Sequence, residues 1–93
     1  MSGKYPFKEA AKMLKVIAHP EKLHIVSLLE KGEMNGKKIQ AKTGLKQSIT
    51  SQHLNAMADR NILKKERRGN EVFYSVKREE VLKLLMCLKR CCG

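Results

Sequence analysis

The chain reads as a mostly α fold carrying one small β-hairpin, with its elements in the order α-α-α-α-β-β-α. Three features predict it. The first is Gly44-Leu45-Lys46-Gln47-Ser48-Ile49-Thr50-Ser51-Gln52-His53-Leu54, a helix-ending glycine followed by a helix with a small polar face. The second is Asn61 to Tyr74, where two strand-like runs flank Gly69-Asn70. The third is the stretch before both, with apolar residues at helical spacing interrupted only at His19-Pro20 and Gly32. In this order they describe a winged helix-turn-helix, read as a single domain over residues 1–93.

Each element has a local cause. Phe7, Ala10, Ala11, Leu14, Ile17 and Ala18 recur at helical spacing and predict an amphipathic helix over 7–18. His19-Pro20 breaks it, and proline suits the first turn of a new helix, where its missing N–H would have no partner anyway. That helix runs about 20–31, with Leu23, Val26 and Leu29 facing inward, Ile25 and Leu28 widening the stripe, and Gly32 stopping it. Asn35 caps a third helix, about 36–43, which turns Ile39 inward and ends at Gly44 in a left-handed cap. The fourth helix, about 47–60, buries Thr50, Leu54, Met57 and Ala58. A strand from Ile62-Leu63 to about Arg67 returns through Val72-Phe73-Tyr74-Ser75-Val76, which is β-branched and aromatic. Gly69-Asn70 tolerates positive φ and so permits a tight connection. A last helix over 79–89 carries Val81, Leu82, Leu84, Leu85, Met86 and Leu88, more apolar surface than one stripe.

Charge and length set the class of partner. Lysine and arginine number 20 against 9 acidic residues, for a net charge of +11. The excess is concentrated: Lys37 to Arg68 holds nine cations and only two carboxylates, Asp59 and Glu66. That coincidence of charge with the helix-turn-helix and hairpin points to nucleic acid. A chain of 93 residues buries only roughly 60–65% of its unfolded surface, so a second copy packing on helices 7–18 and 79–89 is expected. No apolar run approaches the ~18 residues of a membrane span. Met1-Ser2-Gly3-Lys4-Tyr5-Pro6 leads into no apolar signal core, so a cytoplasmic location without membrane contact is expected. No glycine-rich phosphate loop and no oriented Ser or Cys nucleophile occurs, which argues against an enzyme.

The binding residues follow from type and spacing. Gln47, Ser48, Ser51 and Gln52 stand at i, i+1, i+4 and i+5 and share a stripe, with Lys46 just before them. Small polar groups approach base edges closely, and Gln can bond adenine through two hydrogen bonds. Lys37, Lys38, Lys42, Lys64 and Lys65 would attract phosphates. Lys37 and Lys38 lie in a first helical turn, where the helix dipole disfavours cations, which suits an anionic ligand. Arg67, Arg68 and Asn70 form the hairpin tip. The competing reading of the stripe is an ordinary polar helix face. Two other partners fit the charge: an acidic protein bound by a winged-helix interaction module, or RNA. Single-stranded RNA favours exposed aromatics, and few are available here.

These residues resemble the ArsR/SmtB family of bacterial winged-helix repressors. Ile17-Ala18-His19-Pro20-Glu21-Lys22-Leu23-His24-Ile25-Val26 resembles the family's entry to its second helix, Ser48-Ile49-Thr50-Ser51-Gln52-His53-Leu54 its recognition helix, and the hairpin through Val72-Phe73-Tyr74 its wing. The resemblance covers nearly the whole chain. It implies a homodimer that binds an inverted-repeat operator in double-stranded DNA, represses transcription and is released by an inducer. Thr50 stands where the family has an apolar residue, and Lys46 where it often has a Ser cap; a Thr hydroxyl can bond back to its own helix. Asn35 and Lys37 occupy the positions of the family's Cys-x-Cys pair, and the last helix has Glu79 and Glu80 but no His. Neither family metal pattern transfers.

Cys87, Cys91 and Cys92 all fall in the last seven residues and form no disulfide framework. Three readings stay open. Cys87 is a small buried apolar residue with a frayed pair after it; three thiolates hold As(III), or Zn(II) with a fourth ligand; or two thiols undergo oxidation. No cofactor is otherwise required. His19 is expected to set the turn before Pro20, His24 to lie on the surface, and His53 to hydrogen-bond within the helix-turn-helix. None of the three has the close helical spacing of a zinc pair.

Overall fold

The structure, a computed structural model, describes residues 6–92. Residues 1–5, Tyr5 among them, and Gly93 lie outside the described residues, as does the side chain of Cys92. The elements are α1 (Phe7–Ile17), α2 (Pro20–Leu29), β1 (Met34–Asn35), α3 (Gly36–Thr43), α4 (Gln47–Asp59), β2 (Leu63–Arg68), β3 (Glu71–Val76) and α5 (Glu79–Cys92). The arrangement is a winged helix-turn-helix, as expected. The addition is β1. It pairs antiparallel with β3 (Met34 opposite Tyr74, Asn35 opposite Phe73), so the hairpin becomes a three-stranded sheet of order β1-β3-β2. Two residues have no periodicity to read, which is why β1 was invisible in the sequence.

The helix boundaries have identifiable chemistry. His19 is the N-cap of α2, its Nδ1 accepting from the Glu21 N–H at 3.1 Å, with Pro20 in the first turn. Asn35 caps α3, its Oδ1 accepting from the Lys38 N–H at 2.8 Å. Gly44 ends α3 at φ 75°, a left-handed conformation that a side chain would strain. The turn into α4 is closed by Thr43, whose hydroxyl donates to the Gln40 carbonyl and accepts from the Leu45 N–H, each at 3.3 Å. Lys46 starts α4 in an extended conformation without a side-chain cap bond. Instead the buried Thr50 hydroxyl donates to the Lys46 carbonyl at 3.0 Å, the back-bonding expected of it.

One connected core includes Ile25 and Val26 of α2, Ile39 of α3, Leu54 and Met57 of α4, Ile62 before β2, and Val81 of α5. Each such side chain removed from water contributes about 1.5–3 kcal/mol before entropy. Ile25, assigned only to the edge of its stripe, sits at the centre, while Leu23 is half-buried. α1 departs more. Ile17 is buried and Met13 and Val16 pack on the core, whereas Phe7 and Leu14 are 71% and 45% exposed. Leu14 therefore lies off the side of α1 that packs on the core. On α5, Val81 and Leu85 are buried, Leu88 one turn further along their row is exposed, and so is Met86 on another side.

Asn35 carries three duties at once: register partner of Phe73, cap of α3, and donor through Nδ2 to Glu71 Oε1 at 2.6 Å. Asn35→Ala is expected to lose about 1–2 kcal/mol, mostly the cap. The urea midpoint should fall with an unchanged slope; an unshifted midpoint would show that the cap contributes nothing.

Candidate nucleic-acid interface

α4 has two obligations. Its inner side buries Thr50, Leu54 and Met57, and the side away from the core leaves Gln47, Ser48, Ser51 and Gln52 exposed. Helical spacing divides those four into two adjacent rows, Gln47 with Ser51 and Ser48 with Gln52. The first row lines a cleft bounded by Lys37 of α3 and by Asn70 and Val72 of the hairpin, with Tyr74 on its floor. Burial raises the Tyr74 phenol above its ordinary pKa, so it stays neutral there. Lys37, Gln47, Ser51 and Asn70, distant in sequence, thus meet around one opening, while Lys38, Lys42 and Lys46 are exposed on α3 and the turn after it.

The hairpin divides its cations by strand parity. Leu63, Lys65 and Arg67 alternate with Lys64, Glu66 and Arg68, so adjacent residues look to opposite faces. Leu63 is buried, and Lys65 reaches back to α4, donating to Asn55 Oδ1 at 3.3 Å. Asn55 was missed in the sequence, although it continues the row of Gln47 and Ser51 by one more turn. Lys64 and Lys65, grouped together above as phosphate attractors, therefore occupy different faces.

Arg68 is engaged within the chain. Its Nη1 and Nη2 donate to Glu33 Oε2 and Oε1 at 2.6 and 2.9 Å, and Nη2 donates to Glu66 Oε1 at 2.9 Å. The guanidinium lies 4.7 Å from the centre of the Phe73 ring. The hydrogen bonds to Glu33 and Glu66 raise the Arg68 pKa, and the Arg68 hydrogen bond holds the Glu66 carboxyl below its ordinary value. Of the expected tip residues, Arg67 and Asn70 are exposed without this fork. Glu33, in the loop after α2, had no sequence signal; only the fold brings it to the wing. The turn is tight as expected, but only Gly69 has positive φ, at 63°, the pattern of a type II′ connection.

The histidines also meet. His53 Nε2 lies 2.7 Å from Glu21 Oε1, so its partner is on α2 and not within the helix-turn-helix as expected. Its ring stands 4.9 Å from that of His19. His24 is exposed, as expected. Cys87 is exposed rather than buried, as is Cys91, because the turns of α5 that carry them project past the core.

The helix-turn-helix with its flanking α2 and β2 is also where a known family matches. The model of bacterial regulatory proteins of the arsR family matches residues 19–65. The chain belongs to this family. YgaV, an HTH-type transcriptional regulator of Escherichia coli, is 36% identical over 84 residues, covering 88% of this chain and 84% of its own. The crystal structure of the transcriptional repressor PagR of Bacillus anthracis superposes with a TM-score of 0.82 at 36% identity, covering 88% of this chain and 94% of that one. A homodimeric winged helix-turn-helix DNA-binding domain of Mycobacterium bovis shares the fold, with a TM-score of 0.80 at 24% identity over 98% of this chain and 89% of that one. The arsR-family chain is thus a transcriptional regulator with a winged helix-turn-helix DNA-binding domain, and its relatives are regulators, not enzymes. Among the described residues no helix is long and apolar enough to cross a membrane.

The Glu33–Arg68–Glu66 fork is a surface feature, screened by solvent, so its removal should cost little global stability. Its effect should be local. Glu33→Gln is expected to speed amide exchange across residues 66–73 while leaving α2 and α4 amides unchanged. Because the Glu66 carboxyl is depressed, the fork's contribution is complete above the ordinary carboxylate range. The part that rests on Glu66 is lost as pH falls through its depressed pKa, below the ordinary carboxylate range. Wing exchange indifferent both to Glu33→Gln and to acid would show that the fork holds nothing.

Proposed function

We propose that the chain is a homodimeric repressor that binds an inverted-repeat operator and is released by an inducer acting at the end of α5. The observation that carries the reading is the cleft itself. A polar row on α4, a basic first turn on α3 and an open wing tip face one side, while the core takes the other side of α4. Gln47, Ser48, Ser51 and Gln52, with Lys46, read bases in the major groove. Lys37, Lys38, Lys42, Lys64, Lys65, Arg67 and Asn70 meet the phosphates and the wing's groove; Arg68 contributes by holding the wing in position. Two copies related by a two-fold axis would read two half-sites, and protection of a short inverted repeat in a footprint of the chain's own promoter is the direct test.

Base contacts and phosphate contacts separate experimentally. Gln52→Ala is expected to cost about 1–3 kcal/mol on the operator and little on random DNA. Lys65→Ala should weaken both alike and reduce the salt slope by about 1. Equal losses on both DNAs for Gln52→Ala would remove it from the reading residues.

Homodimerisation is supported by the exposed apolar side chains of α1 and α5 and by the homodimeric M. bovis neighbour. Leu85, at 7% exposure, belongs to the chain's own core and is a poor probe. Met86, at 54%, is a clean one. Met86→Glu should sediment as a folded monomer and lose operator binding; a wild-type monomer at micromolar concentration would refute the dimer.

The inducer reading rests on Cys87 and Cys91, exposed and four residues apart on α5. On a helix their Cβ atoms stand about 5–6 Å apart, whereas a disulfide wants about 3.8 Å. Oxidation would therefore unwind the last turn. A soft ion such as As(III) or Zn(II), bound by both thiolates with Cys92, would order it. Either change lies beside Met86 and Leu88 and alters how two copies sit, which is how an inducer comes to prefer the arrangement that fits DNA poorly. Replacing Cys87, Cys91 and Cys92 together by Ser should leave operator binding intact and abolish release by As(III), Zn(II), persulfide or peroxide. Release unchanged in that variant would place the sensor elsewhere.

A further inference from the structure

The geometry points to a divalent transition-metal site at His19, Glu21 and His53, where the N-terminus of α2 meets α4. One ring nitrogen of each histidine and a carboxylate oxygen of Glu21 all lie within 4.8 Å of one another. Two imidazoles and one carboxylate are a donor set that Zn(II) and its neighbours accept, with water in the fourth position. In a tetrahedral site with bonds near 2.0–2.1 Å the donors stand about 3.4 Å apart. His53 Nε2 and Glu21 Oε1, at 2.7 Å, need to part slightly, and the separations from His19 have to close by up to about 1.4 Å, within reach of side-chain rotation. His19 is exposed and gives an ion entry from solvent; the His53 side chain is 13% exposed and provides the sheltered wall.

Ligation has a definite chemical consequence. His19 Nδ1 accepts the Glu21 N–H, so the neutral ring carries its proton on Nε2. An ion bound at Nδ1 displaces the α2 cap; one bound at Nε2 takes the place of that proton and needs the other tautomer, which sets two N–H groups against each other. Either way the ion competes with the cap, and it also displaces the hydrogen bond between His53 and Glu21. An occupied site therefore ties α4 to α2 by metal bonds in place of two hydrogen bonds. This site shares no residue with the C-terminal cysteines, and it stands or falls independently of the operator reading.

The test uses the full chain with Cys87, Cys91 and Cys92 replaced by Ser, so that no thiolate competes. Titration with Co(II) should give visible d–d absorption at one ion per chain, displaced by Zn(II). Zn(II) should also raise the melting temperature, as any ligand specific to the folded state must. His19→Asn keeps a capping oxygen for the Glu21 N–H and removes a ligand. His53→Gln keeps a donor for Glu21 and removes another. Both should remain folded by circular dichroism and lose at least about tenfold in affinity, since even supporting residues of metal sites contribute that much. Absence of the absorption in the Ser background, or an affinity in either histidine variant equal to that of the Ser background itself, overturns the site.

Discussion

Everything on the binding side of this protein is registered through Asn35. Its backbone sits in the sheet opposite Phe73, its Oδ1 starts α3, and its Nδ2 holds Glu71 beside the tip of the wing. The sheet and the helix-turn-helix are different kinds of structure with different periods, and nothing in either alone fixes their relative position. Leu63 and Tyr74 in the core and the Lys65–Asn55 bond join them, and Asn35 fixes where α3 starts relative to the sheet. The wing stands beside α4 because the residue that ends β1 is also the residue that begins α3, with no linker between them to flex. A Ser or Asp in its place could cap a helix equally well, but neither offers the amide donor that reaches Glu71.

The parts legible in the sequence are those set by neighbours a few residues away. Pro20 and His19 announce α2, Asn35 and Gly44 bracket α3, and the spacing of Thr50, Leu54 and Met57 orients α4, because capping and helical periodicity are local. The hairpin was legible for the same reason, through Gly69-Asn70 and the β-branched run after it. What escaped notice depends on long-range closure. β1 is two residues recruited by β3, the Glu33–Arg68 fork spans 35 residues, and the meeting of His19, Glu21 and His53 spans α2 and α4. Asn55 is the exception, since it continues a polar row already identified and could have been found by following that row one turn further.

The apolar surfaces of α1 and α5 were read correctly as excessive but incompletely as to which residues carry the excess. Spacing alone cannot tell a face that meets the chain's own core from one that does not. Both are apolar, and both recur every three or four residues. Burial separates them: Met13, Val16 and Ile17 of α1 turn toward α2 and α4, while Leu14 turns away. On α5, Leu88 continues the row of Val81 and Leu85 past the end of the core, and Met86 stands off that row. The cysteines are exposed on the same last turns of α5, so what happens to the thiols happens outside the core.

Strand alternation imposes a parity rule on the wing. Lys65 and Arg67 look toward α4 because Leu63, an even number of positions before them, is anchored in the core. Lengthening both strands by two residues would carry the tip outward by about 6–7 Å and keep every side chain on its face. Lengthening them by one residue between Leu63 and the tip would turn the distal cations over, sending Arg67 to the outer side and Arg68 inward, away from Glu33 and Phe73. The wing of this chain can therefore vary in reach only in double steps, and its length records an even count that substitution leaves untouched and a single insertion would break.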